Sequence, residues 1–171
     1  MKFLWSVSDI FKDRSEKKIM ADIRSCPLFE ELNPKELHIL RGLIHIRKYN
    51  VGEYVFQRNQ AGTGVYILSS GKVAVEVEKV FIDKKSGEEK HELSLIETLE
   101  EGDFFGEQAL ADGEDVRSAS VKVIEPSTLL AFFKPDLIGI VKNRPVMGSK
   151  ILMNLSKILS ERLKRAAKDA F

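Results

Sequence analysis

The sequence predicts a mainly β domain with flanking helices. Three observations carry that expectation. The apolar pattern is helical up to about Leu43, alternates from about Ile44 to Lys134, and is helical again after Pro135. Glycine and proline punctuate the alternating part at short, near-regular intervals, as in barrels, rolls and sandwiches. The chain has 171 residues, 43% of them hydrophobic, enough for a core of its own.

Residues 1–14 are expected to form a separate amphipathic segment. A helix from Met1 to Phe11 would place Phe3, Leu4, Val7, Ile10 and Phe11 on one side. Such a face docks on its own domain or on a second subunit. Trp5 leaves open a weak membrane or partner contact through residues 1–11. The apolar core is too short for a signal peptide, and no small-residue cleavage pattern follows. Residues 15–171 are expected to form one domain, beginning with helices over 15–43. Ile19 and Ile23 face inward on the first. Asn33 before Pro34 starts the next, a cap residue followed by proline at the first helical position, with Leu37, Leu40 and Leu43 as its stripe.

Strands are expected at Tyr54–Gln57, Val65–Leu68, Val73–Val77, His91–Ile96, Ala119–Ile124 and Leu129–Phe133. Gly52, Gly62, Gly64, Gly71, Ser86-Gly87, Gly102 and Pro126 mark turns between them. Asp83 to Lys90 reads as a polar hairpin tip. After Pro135, two helices occupy 135–169. Leu137, Ile138 and Val141 stripe the first. Ile151, Leu152, Leu155, Ile158, Leu159, Leu163 and Ala166 stripe the second, a band that can leave a seam for a homodimer through the C-terminal helix.

Composition excludes several functions. Lys plus Arg number 27 and Asp plus Glu 26, a formal charge of +1, which gives no overall drive toward nucleic acid or anionic membranes. Cys26 is the only cysteine, so no intrachain disulfide forms and a reducing, cytoplasmic setting is expected. No apolar run approaches the ~20 residues of a membrane span. The three histidines, His38, His45 and His91, lack metal-ligand spacing, so no metal is expected. With no nucleophile elbow, phosphate-binding Walker loop or paired carboxylates, the chain is not expected to be an enzyme.

The most informative stretch runs from Phe104 to Val121. Gly106 and Glu107 stand at the mouth of a short helical turn, and Arg117, Ser118 and Ala119 follow ten residues after Glu107. Gly106 lets backbone approach a ligand. The turn from Gln108 to Leu110 is expected to present free N–H groups to an anion. Arg117 offers a planar fork for two phosphate oxygens, and Glu107 an acceptor for a hydroxyl. Separately, Arg117 could pair with Glu114 or Asp115, and Glu107 could simply favour a helix start.

This arrangement resembles the phosphate-binding cassette of the cyclic nucleotide-binding domain family, which includes bacterial catabolite activators, kinase regulatory subunits and gated channels. The resemblance covers roughly residues 25–165, and its Gly-Glu…Arg-Ser-Ala spacing is similar to the bacterial activator form. It implies a β-roll of about eight strands over 44–134, with the cassette at 105–119. It implies that Arg117 pairs with a cyclic phosphate and that Glu107 takes the ribose 2′-hydroxyl. Ser118 and the backbone at Ala109, Leu110 and Ala119 then complete the cage, beside Gly106 and Gln108. Gln108 departs from the aliphatic residue common there, and Val116 from the proline of kinase-type cassettes.

The implied function is a non-enzymatic regulatory or sensor module that binds cAMP in preference to cGMP. The resemblance implies ligand-driven movement of the C-terminal helix, with output expected through the N-terminal segment, the last helix or an unknown effector protein. Activator relatives carry a DNA-binding domain after that helix; here the sequence ends at Phe171, so none, and no nucleic acid, is expected. Activators place hydroxyl residues on the long helix against the base. The similar region here, Lys164-Arg165-Ala166-Ala167, has none, and Asn154, Ser156 and Ser160 lie earlier. The alternative is a ligand-free protein-interaction scaffold of the same fold.

Overall fold

The structure, a computed structural model, describes residues 7–82, 87, 89–111 and 116–169. In chain order they form α1 (Val7–Ser25), a 3₁₀ turn (Pro27–Phe29), α2 (Pro34–Arg41), β1 (His45–Tyr49), β2 (Tyr54–Phe56), β3 (Gly64–Ile82), β4 (Glu89–Glu100), β5 (Phe104–Phe105), α3 (Gln108–Ala111), β6 (Ser120–Phe133), α4 (Lys134–Asn143) and α5 (Pro145–Asp169). The chain divides into a helical unit, up to Ile44 and again from Pro135, and a β unit, His45–Lys134. This is the β-roll with flanking helices that the sequence leads one to expect.

The β unit is an antiparallel sheet in the order β1-β6-β3-β4, with β2 on β6 and β5 on β3. Leu68, Val73, Val123, Leu129 and Ala131, each fully buried, form its core, with Tyr66, Phe105 and Val121 around them. There are six strands among the described residues, not about eight. The expected strands at 65–68 and 73–77 are one strand, and so are those at 119–124 and 129–133.

The reason is local. Gly71, at φ +93°, does not turn the chain; it sits in a bulge, and β3 stays paired with β6 on both sides while the register shifts between Leu68 and Val73. Opposite it, Ser127 Oγ accepts from the Lys72 N–H at 3.2 Å and donates to the Glu125 carbonyl at 2.7 Å. A Cβ on Gly71 would stand 2.7 Å from Ser127 Cα, so glycine is required. Pro126, which has no N–H, is tolerated in the same irregularity.

In the helical unit, Asn33 caps α2 as its sequence suggests. The Glu36 N–H donates to Asn33 Oδ1 at 3.0 Å, and the Asn33 N–H donates to Glu36 Oε2 at 2.8 Å, a complete capping box. Ile19, Ile23, Leu37 and Leu40 are buried. Arg41 grips Glu16 of α1 with two hydrogen bonds, 2.7 and 3.0 Å long. On α5, Met147, Ile151, Leu155 and Ile158 are buried. The α5 stripe is narrower than expected: Leu152 is 41% and Leu163 72% exposed, and every residue from 161 to 168 is exposed. There Leu163 and two alanines stand among Arg162, Lys164, Arg165 and Lys168, too little apolar surface to bury a helical turn.

α1 runs without a break through residue 14. Residues 1–6 of the Met1–Phe11 segment and most of the 83–90 hairpin tip lie outside the described residues. No helix among the described residues is long and apolar enough to cross a membrane, and none of their side chains cluster as a metal site.

Candidate phosphate-binding site

The loop from 57 to 63 and the residues before β6 are tied together by backbone bonds. The Arg117 N–H donates to the Gln60 carbonyl, and the Asn59 N–H donates to the Arg117 carbonyl, both at 2.9 Å. This places the Arg117 side chain inward, where it is 6% exposed. A cation in so dry a place needs strong partners. Nη2 donates to the Gly64 carbonyl at 2.8 Å, and Nη1 donates to the Gly106 carbonyl at 3.1 Å. The guanidinium carbon lies 4.0 Å from the centre of the Phe56 ring and 5.8 Å from that of Tyr66. Tyr66 stacks on Phe105 at 5.6 Å, and Phe56 stands 5.9 Å from each of them.

Gly106 joins β5 to α3 at φ +81°. A Cβ there would meet Arg117 Nη1 at 2.7 Å, so its lack of a side chain admits the guanidinium itself. Glu107 follows, 1% exposed. Ala109 and Leu110 are buried, Gln108 and Ser118 are exposed, and Ala119 is half-buried.

One expectation is corrected. The N–H groups of the α3 turn do not all stand free: Ala109 donates to the Gly106 carbonyl at 3.2 Å and Leu110 to the Glu107 carbonyl at 3.0 Å. A tight turn closes its own i→i+3 bonds. Glu114 and Asp115, considered as partners of Arg117, lie outside the described residues.

The structure therefore brings Gly106, Glu107 and Arg117 into one segment of the β unit, and adds four residues not picked out as site residues from sequence. Gly62 and Gly64 are read there as turn markers; Gly64 instead opens β3 and turns its carbonyl to Arg117. Phe56 and Tyr66 look like ordinary alternating strand residues. Gly64 and Arg117 are 53 residues apart, and no local pattern links them.

Comparisons with known proteins identify the family and the fold. Residues 46–144 match the model of the cyclic nucleotide-binding domain family. The chain is 31% identical over 144 residues to a cyclic AMP receptor protein of Thermus thermophilus, spanning 84% of this chain and 60% of that one. It is 32% identical over 99 residues to human cGMP-dependent protein kinase 2, spanning 58% of this chain and 12% of the kinase. The crystal structure of Thermus thermophilus catabolite activator protein superposes with a TM-score of 0.67 at 30% identity, covering 84% of this chain and 61% of that one. A cyclic nucleotide-binding domain from Methylobacillus flagellatus has a TM-score of 0.70 at 20% identity, over 92% of this chain and 83% of that one, a likeness of fold. With more than half its length matched by the family model and a relative above 30% identity across most of the chain, this protein belongs to the cyclic nucleotide-binding domain family.

Proposed function

We propose that the chain is a regulatory module that binds a cyclic purine nucleotide, cAMP in preference to cGMP, and works by binding rather than by catalysis. The observation that carries this is Arg117: a permanent cation, 6% exposed, held inside the β unit with its fork on the carbonyls of Gly64 and Gly106. A phosphate oxygen is a stronger acceptor than a neutral carbonyl, because both partners are then charged. A phosphate that reaches the fork therefore gains more than the carbonyl contacts give.

In this reading Gly106, Glu107, Gln108, Ala109, Leu110, Ser118 and Ala119 surround the sugar-phosphate, and Glu107 accepts from a ribose hydroxyl. From Phe104 to Val121 the sequence has a single cation, Arg117, among four carboxylates, Glu107, Asp112, Glu114 and Asp115. That balance favours a singly charged cyclic phosphodiester over a doubly charged linear monophosphate. The cAMP preference is supported by the longer alignment with the Thermus cyclic AMP receptor protein than with the cGMP-dependent kinase. Exposed Leu152, Met153 and Leu163 support α5 as a surface for self-association or an effector.

A thermal-shift titration with cAMP, cGMP and 5′-AMP tests the proposal. At about 100 times its dissociation constant a ligand stabilises by about 2.7 kcal/mol. The expected order of shift is cAMP, then cGMP, then 5′-AMP. No shift with either cyclic nucleotide at millimolar concentration would favour the ligand-free scaffold.

A further inference from the structure

We propose that Phe56 is a positioning residue for Arg117: its ring fixes the plane of the guanidinium, so that the fork is oriented before any ligand arrives. This rests on the nucleotide-binding reading above, but the geometry that motivates it does not. Arg117 Cζ stands 4.0 Å from the centre of the Phe56 ring, a distance at which the ring face attracts the cation. In-plane hydrogen bonds restrain a guanidinium only weakly against tilting out of its plane. A ring face beneath it removes that freedom. The ring is itself braced, 5.9 Å from both Tyr66 and Phe105, and β2 pairs Phe56 with Val121, a buried residue of the core.

Gly62 closes the other side. A Cβ at that position would lie 3.0 Å from Arg117 Nε, 3.2 Å from its Cδ and 3.1 Å from the Ala109 Cβ. The arginine stem thus runs through a slot with Gly62 along it and Phe56 under its head. Neither residue has a polar side-chain group that a phosphate would accept from. Their effect on a ligand passes through Arg117, and preorganising one side chain spares the ligand the cost of ordering it.

The test compares Phe56→Leu with Phe56→Tyr in the full chain. In Phe56→Leu, cAMP affinity by calorimetry is expected to fall roughly ten-fold, the scale of a desolvated cation–aromatic contact. Phe56→Tyr restores the ring and is expected to stay within about two-fold of wild type. In an Arg117→Gln background the further change Phe56→Leu is expected to cost much less than in wild type, since the partner it orients is gone.

A second readout needs no ligand. In the proton NMR spectrum, the Arg117 Hδ and Hε resonances are expected upfield of random-coil positions, shifted by the ring current. They should stay there in Phe56→Tyr and return in Phe56→Leu, while the Val123 and Leu129 methyl signals hold. Equal affinity in Phe56→Leu and wild type would overturn the proposal. So would random-coil Arg117 resonances in the wild-type protein, whether or not the leucine variant folds. If wild type binds neither cyclic nucleotide, the function proposed above fails, and the ring-current shift still decides whether Phe56 orients Arg117.

Discussion

Arg117 in the β unit and Asn154 on α5 are both polar side chains buried in the fold, at 6% and 2% exposure, and both reach backbone carbonyls of a distant segment. Asn154 Nδ2 donates to the Glu30 carbonyl at 2.8 Å and to the Leu28 carbonyl at 3.4 Å, joining the long helix to the turn before α2. Around it, Lys150 pairs with Glu36 at 2.8 Å. A neutral donor on neutral acceptors is fully served by the chain, so the contact is structural. A guanidinium on the carbonyls of two glycines is different. Its charge makes it worth more against an anion than against a neutral carbonyl. Burial with hydrogen bonds does not by itself separate a structural tie from a proposed binding group; what differs between these two is the charge of the buried side chain.

The largest effect that could break this comparison is on Arg117. Arg117→Ala is expected to cost about 2 to 5 kcal/mol of nucleotide binding, since the ligand's phosphate loses its charged partner. Calorimetry against cAMP measures it, and an unchanged affinity would remove Arg117 from the site. Asn154→Ala should act on stability instead. The buried Leu28 carbonyl and the part-buried Glu30 carbonyl lose their donor, at about 1 to 3 kcal/mol, read from the midpoint of urea unfolding. If Asn154→Ala leaves that midpoint in place, the contact is not the tie described above.

The smallest effect concerns acid sensitivity of the helical unit. Burial pushes the Glu36 carboxyl up. The Lys150 hydrogen bond, the Asn33 backbone N–H and the Lys150 charge outweigh it and hold the carboxyl below its ordinary value of 4.5. A carboxyl lowered in the folded state adds stability above the unfolded value, and loses it as pH falls through the folded one. Wild type should therefore lose more stability than Glu36→Gln as pH drops below about 4.5. The difference is on the order of 0.5 kcal/mol, the scale of a charge at a helix start. Equal acid sensitivity of the two proteins would mean that Lys150 and the cap do not act on this carboxyl.

Much of the fold is legible in local patterns because its causes are local. Asn33, Pro34 and Glu36 lie within one turn of one another, and they specify the start of α2 without help. Alternation from Ile44 onward marks strands because side chains on a strand take opposite faces in turn. The strand count is not legible in the same way. Gly71 and Pro126 look like turn residues, and only the pairing of β3 with β6 shows that the ladder continues past them through a bulge. The long helix divides likewise. Ile151, Leu155 and Leu163 fall on one periodic stripe, but burial follows what packs against the helix, and Leu163 is left exposed.

The site divides along the same line. By itself the sequence determined the segment, Gly106 to Ala119, and the chemistry it offers: a glycine, a carboxylate and an arginine within fourteen residues. These are neighbours in the chain, so their spacing is readable. Tertiary structure alone decided what Arg117 rests on. The Gly64 carbonyl, the Phe56 ring and the gap at Gly62 come from strands and loops more than fifty residues away. Such contacts exist only once antiparallel pairing has carried those segments together, and a backbone carbonyl or a missing Cβ leaves no mark in a sequence to show which distant charge it serves.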